Sequence, residues 1–254
     1  MKIVYRGAQS VMGAAFHGRN YLAALNMARL CDRPIDFFTR YTLGVGAYPA
    51  DVRLRSPSRP VALRAFTKHD ILTINEIFCR RDYPARSSDR VFVDFGSNIG
   101  VSAAFFLSRG TDSKAYLFEP LRQNVERLRQ NLAPFEGRYE LHEVAVGVAD
   151  GTAEFGWEPT GRYGGVGLQT GNSICVPCVD ANAVIRSIVE RHGGIDVLKI
   201  DIENKQEAIV ERIPRDLLER IDRIYVEGTI PKDLFSSTHR RHDYGYVARF
   251  TRIG

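Results

Sequence analysis

The chain has 254 residues and no apolar run near the ~20 that a membrane-spanning helix needs. The apolar stretch 11–15 is short for a signal-peptide core, and His17, Arg19 and Asn20 follow it at once. A cytoplasmic protein with no membrane partner is expected. Cysteine is scarce: Cys31, Cys79, Cys175 and Cys178 do not make a disulfide scaffold in a chain of this length. Cys175 and Cys178 form a C-x-x-C, but no second pair completes a zinc site. The stretch around them reads as a strand rather than the helix N-terminus that lowers a redox thiol, so they read as small apolar fillers. Lysine is scarce too, at six against 29 arginines, with a net charge of +5 spread through the chain. No basic run with interleaved aromatics marks a nucleic-acid groove, so no nucleic-acid partner is expected. Also missing is the G-x-G-x-x-G of a dinucleotide site.

What stands in its place is V-F-V-D-F-G-S-N-I-G at 91–100. A buried-type strand, 91–95, enters a glycine-bearing turn, and a helix-like segment begins at Val101. From there strands and helices alternate, with strands expected at 91–95, 115–119, 139–146, 195–201 and 221–227. The clearest helix covers 121–132, where Leu121, Val125, Leu128 and Leu132 share one stripe. Asp180 is placed to cap the helix that carries Ile185 and Ile188. Pro214 divides the next helical region into 205–212 and 215–220. The tail, 244–253, alternates and suits an antiparallel edge strand. Upstream, 13–30 has helical composition, 61–66 suits a short strand, and a helix starts at His69-Asp70. Glycines and prolines between 44 and 60 point to loops. The Gly-rich segment 156–173, with Trp157 and Tyr163, is too long for a simple hairpin turn. It is expected to cover the acceptor pocket together with the N-terminal helices.

Alternation with nearly continuous apolar strands implies an α/β fold with a doubly wound parallel sheet. Ligands in such sheets sit at the carboxyl ends of the strands, and Asp94, Glu119, Asp201 and Glu227 all fall at or near those ends. Glu119 is suited to two ribose hydroxyls. Asp94 adds negative charge where a pyrophosphate would be repelled and a cationic nucleoside attracted. S-adenosylmethionine (SAM) satisfies both. NAD or FAD, or a tight turn with no ligand, are the other readings of these residues.

V-D-F-G-S-N-I-G, Y-L-F-E-P, A-V-G-V-A-D-G-T-A-E-F and I-D-V-L-K-I-D-I-E occur in an order and spacing that resemble the FkbM-type SAM-dependent methyltransferases. H-D-I-L-T-I-N-E-I-F and V-P-C-V-D-A-N-A-V-I are similar to further segments of that family, and the likeness runs over 64–228. It implies a class I, Rossmann-like fold with a seven-stranded sheet and a reversed last strand, here over 89–254, after an N-terminal helical cover segment over 1–88. It implies that Asp94, Gly96, Asn98 and Gly100 line the methionine end of SAM. Glu119 would hold the ribose, Val144, Ala145 and Val146 would flank the adenine, and Asp201 and Glu203 would lie beside the methyl group. The expected reaction is O-methylation of a hydroxyl on a sugar, glycolipid or secondary metabolite. N-methylation and a non-catalytic SAM-binding scaffold are the alternatives, with a nicotinamide dehydrogenase third. Two departures bear on catalysis: the family's E-G-A-E is Glu203-Asn204-Lys205-Gln206, and its E-x-H is Glu227-Gly228-Thr229.

An alcohol must shed a proton as it is methylated, so a positioned base is expected. Asp201 is the first candidate and Glu227 the second, with His69, His239 and His242 outside them. The two carboxylates permit a divalent metal without demanding one. The partner is a small hydroxylic acceptor, and an oligomer is left open.

Overall fold

The computed structural model describes residues 18–161, 164–203 and 205–253. The chain opens with helices α1 (Gly18–Leu30) and α2 (Pro34–Leu43), then a hairpin of β1 (Ala50–Leu54) and β2 (Val61–Ala65). Helix α3 (Lys68–Ile74) follows and runs into a π-helical turn, Asn75–Cys79. The core then alternates β3 (Val91–Phe95), α4 (Val101–Leu107), β4 (Lys114–Phe118), α5 (Arg122–Leu132) and β5 (Tyr139–His142). Next come β6 (Ala145–Gly147), β7 (Gly151–Trp157), β8 (Gly164–Val166), β9 (Ser173–Asp180) and α6 (Ala181–His192). The chain closes with β10 (Ile195–Ile200), α7 (Gln206–Val210), α8 (Arg215–Leu218), β11 (Ile221–Glu227), β12 (His239–Tyr244) and β13 (Val247–Arg252).

Seven strands form the main sheet in the order β12-β13-β11-β10-β3-β4-β5. The neighbours from β11 through β5 are parallel, and β13 runs antiparallel to both β11 and β12. This is the seven-stranded class I arrangement with its last strand reversed. Alternate residues of each strand feed opposite faces, as the strand period of two requires. Phe92, Leu117 and Val197 face one core with α4 and α5, and Val93, Phe118 and Leu198 face the other with α6. The N-terminal elements join the first of these cores: Met27, Phe37, Leu63, Ile74 and Phe78 pack in one cluster with Phe105 and Leu128.

Several boundaries differ from the sequence expectation. The expected strand 139–146 breaks after His142, and β6 leaves for a separate four-stranded sheet ordered β6-β9-β7-β8. The tail strand β13 is antiparallel but internal; the edge is β12, whose H-R-R-H-D-Y has no apolar alternation. Strand β1 lies where loops were expected, and helix α2 falls where no element was expected, although Pro34 at the first helical turn and Gly44 in a left-handed C-cap are ordinary start and stop signals. The part of the first expected helix over 13–17 lies outside the described residues. The expected cap at Asp180 forms, and a second one is found at Thr67. Asp180 accepts from Ala183 N at 2.9 Å, and Thr67 with Asp70 makes a capping box on α3.

Between the π-helical turn and β3, the chain is tied to the sheet by a buried pair, Arg223 to Asp89. Arg223 also donates to Pro84 O at 3.3 Å, and both side chains of the pair are under a tenth exposed. Removing one member strands the other charge in the interior, at a cost of about 3–5 kcal/mol. Asp89→Ala is therefore expected to lower unfolding free energy by that order in urea titration; a loss under ~1 kcal/mol would contradict it.

Candidate active site

The parallel strands β3, β4, β10 and β11 finish on one edge of the sheet, and two clefts open along it. Their shared wall is the turn after β3. Gly96 has φ +88°, and a Cβ there would sit 2.0 Å from the Asp201 carbonyl oxygen, so only glycine lets β3 and β10 close up at this point. Asn98 adopts φ +48°, and its backbone N–H donates to Glu119 Oε2 at 2.9 Å. Gly96 and Asn98 line both clefts. Gly100 does not line them. It starts α4 at φ +83°, and a Cβ on it would press on Leu128 and Leu132, so its glycine serves helix packing. Asp94 is also corrected. Its carboxylate is fully buried beneath the turn, bound to Lys199 Nζ at 2.9 Å and to Ser102 Oγ, so it acts on the cleft through Lys199 rather than by touching a ligand.

The first cleft, of about 690 Å³, is bounded by Glu119 at its polar end. Both Glu119 oxygens accept backbone amides, Oε2 from Asn98 and Oε1 from Leu121 at 3.0 Å. Burial nevertheless pushes its carboxyl up to about 7. Beyond it lies an apolar slot between Val144, Ala145, Val146 and Phe118, Leu121, Phe155. The Asn124 amide donates to Gly161 O at 2.9 Å, whereas its Oδ1 is buried with no hydrogen-bond partner among the described residues. The turn after β7 and strand β8 roof this cleft through Gly161, Gly164, Gly165 and Val166. The Gly-rich segment thus lines the first cleft and not the second; Tyr163 lies outside the described residues.

The second cleft, of about 930 Å³, is walled by α3 and its π-helical turn through Thr73, Glu76, Ile77 and Arg80, and by Tyr83, Glu227 and Tyr246. Asp201 and Glu203 face both clefts. Asp201 is one-third exposed and lies 3.2 Å from Lys199 Nζ. Burial opposes the charge on Lys199, but Asp201 and Asp94 outweigh it and hold the ammonium above its ordinary range. The charge of Asp201, then burial, pushes Glu227 up to about 8. Glu227 therefore retains its proton near neutral pH.

None of the three candidate histidines lines either cleft. His239 is buried at the start of β12, with its ring bound to Ile221 O and Thr238 Oγ1 at 3.0 Å each. Cys175 and Cys178 sit three apart on strand β9, so they point to opposite faces and form no dithiol site. Gln206, in the family's acidic position, donates to Glu227 O at 3.2 Å, and Thr229 is exposed. Asn204 lies outside the described residues. Those residues contain no group of three or more His, Cys, Asp or Glu placed to hold a metal ion. Sequence reasoning missed Lys199, Tyr83 and Asn124. The K-I-D run signalled Lys199, and the other two carried no motif.

The methyltransferase FkbM domain matches residues 94–243, more than half of the chain. The chain belongs to the FkbM methyltransferase family. A relative of known name is the AMB antimetabolite synthetase AmbE of Pseudomonas aeruginosa, 25% identical over 158 residues, which span 61% of this chain and 7% of that protein. A solved Staphylococcus aureus protein, provisionally named a caffeoyl-CoA O-methyltransferase, is 11% identical with a TM-score of 0.44, covering 93% of this chain and 99% of its own. Aeropyrum pernix fibrillarin, solved with bound SAM, is 12% identical with a TM-score of 0.37, covering 66% and 67%. The residues of this FkbM methyltransferase fit SAM. The buried Glu119 carboxylate could accept ribose hydroxyls, an apolar slot adjoins it, the Asn124 Oδ1 has no partner among the described residues, and Gly96 keeps the floor open.

A carboxyl accepts hydroxyl hydrogen bonds best when ionised, and Glu119 would do so towards a ribose. SAM affinity is thus expected to be full above pH 7 and to weaken as pH falls through about 7. Glu119→Gln should weaken binding roughly tenfold or more, in line with hydrogen bonds to a charged group, and flatten that pH dependence. Calorimetric titration with SAM across pH 5.5–8.5 reads both, and a pH-independent wild-type affinity would refute the assignment.

Proposed function

We propose that this methyltransferase methylates a hydroxyl group of a small acceptor, on a sugar, glycolipid or secondary metabolite. The observation that carries the reading is Asp201, a partly exposed carboxylate shared by the walls of both clefts, next to a second carboxyl. Bound SAM supplies a methyl group on a sulfonium, whose displacement leaves a neutral thioether. The chain's own work is alignment and proton removal. Gly96, Asn98, Glu119 and the apolar slot fix the cofactor at one side of Asp201. Glu203 and the α3 wall shape the other side. Asp201 accepts the hydroxyl proton as the new bond forms, and Lys199 steadies its charge. Glu227 retains its own proton near neutral pH and shields Asp201 from a second full negative charge.

Asp201→Ala is expected to lower turnover by ~10²–10⁴-fold, the usual worth of a positioned base, while SAM affinity stays within a few-fold. Screening hydroxylic and amine acceptors by mass spectrometry, with wild type and variant side by side, gives the readout. Near-wild-type turnover in the variant would rule out Asp201 as base. Methylation confined to amines would replace the O-methylation reading. SAM binding without turnover on the whole panel would favour a non-catalytic SAM-binding protein, which the replacements at Gln206 and Thr229 also favour.

A further inference from the structure

Residues 80–84 lie ahead of the family-matched stretch and leave the π-helical turn towards β3. Strands β11 to β13 hold this short segment by its backbone carbonyls. Tyr244 donates to Arg80 O at 3.3 Å, Arg249 to Arg81 O at 2.7 Å and Asp82 O at 3.0 Å, and Tyr225 to Pro84 O at 2.7 Å. Arg80 clasps Asp82 through two or more hydrogen bonds. Arg81 is held at φ +59°, a left-handed conformation that non-glycine residues seldom adopt and that persists where the surroundings impose it.

Within this strap Tyr83 turns its side chain into the site. It is 4% exposed, and its hydroxyl donates to Glu227 Oε2 at 2.7 Å. Its ring lies 5.9 Å from that of Tyr225 and 5.6 Å beneath Lys199 Nζ. Burial first, then Asp201 and Glu227, holds the phenol well above its ordinary range, so Tyr83 donates and does not ionise. A donor on Oε2 confines the proton that Glu227 carries to Oε1. The groups that face Glu227 are Asp201, Lys199, Tyr83 and Glu76.

We propose that Tyr83 is a positioning residue, whose strapped hydroxyl fixes the Glu227 carboxyl beside Asp201 on the acceptor side of the methyl-transfer centre. This rests on the reading in which Asp201 and Glu227 manage the acceptor proton. It places part of the machinery outside residues 94–243, on the chain that precedes the family-matched domain.

Carbon-13 NMR of protein labelled at the glutamate carboxyl carbon tests it without an acceptor, with Glu227→Gln assigning the resonance. In wild type the Glu227 resonance is expected to titrate near 8. In Tyr83→Phe it should titrate at higher pH, because a hydrogen bond that favoured the carboxylate is gone. The Glu119 titration near 7 should stay in place, and SAM affinity should stay within about twofold. With any acceptor from the panel, Tyr83→Phe should lose about tenfold in kcat, and the double variant with Glu227→Gln no more than Glu227→Gln alone. An unmoved Glu227 titration, or losses that simply add, overturns the proposal. Failure of the underlying reading is separate: Asp201→Asn that retains turnover sinks the base role, whatever Tyr83→Phe does to the Glu227 resonance.

Discussion

Lys199 is the group on which the site's construction rests. Lys199 is 2% exposed and sits where β10 pairs alongside β3, its ammonium bonded to Asp94, to Gly96 O and to Asp201. Withdrawing an ammonium from water costs several kcal/mol, which only close opposite charge and good hydrogen bonding offset. The three partners do both. They come from strand β3, from the turn after it and from the end of β10, so satisfying one buried charge fixes the relative height of two strands and the path of the turn. The near-contact between Gly96 and the Asp201 carbonyl is the steric side of the same constraint. A residue with a side chain at position 96 would force β3 and β10 apart, and the Lys199 bridge could not span the gap.

The same arrangement separates the roles of four acidic residues that look alike in the sequence. Asp94 is consumed as a counter-ion. Glu119 is buried but satisfied by two amides, which leaves it a neutral-range carboxyl suited to hydroxyls. Asp201 has a cation beside it and solvent in front. Glu227 has burial and an anion beside it, so it retains a proton to about 8. Position at a strand end brought all four to one edge, and neighbours then divided their chemistry.

Much of this was readable from residues 91–100 and from the ordered strand ends: the parallel core, the reversed last strand, and a cleft lined by Glu119 and by the apolar residues 144–146. These rest on local pattern, since buried parallel strands are continuous apolar runs and their ends carry the ligand. What was hidden depended on contacts remote in sequence. Asp94 looked like a ligand contact because nothing local says that Lys199, 105 residues on, takes its charge. Strand β12 was hidden because an edge strand rich in Arg and His lacks the alternation that marks burial. Gly100 looked like a ligand contact, whereas the crowding of Leu128 and Leu132 explains it equally well. Tyr83 sits in a segment with no periodicity at all, and only the strap aims it.

The composition also acquires a physical reading. Six carboxyl groups and two cations line the second cleft, in a protein whose net charge is +5. Arginine is abundant, yet Arg80 in the cleft wall is spent on Asp82, and Arg223 and Arg249 behind it on a buried carboxylate and backbone carbonyls. A guanidinium suits that work, because its fixed fork of donors can bridge two carbonyls at once, as Arg249 does. The positive charge thus holds the scaffold while the negative charge faces the cavity. Carboxyl groups thus outnumber cations on the wall of this cleft although the protein as a whole is basic, and such a surface repels anions.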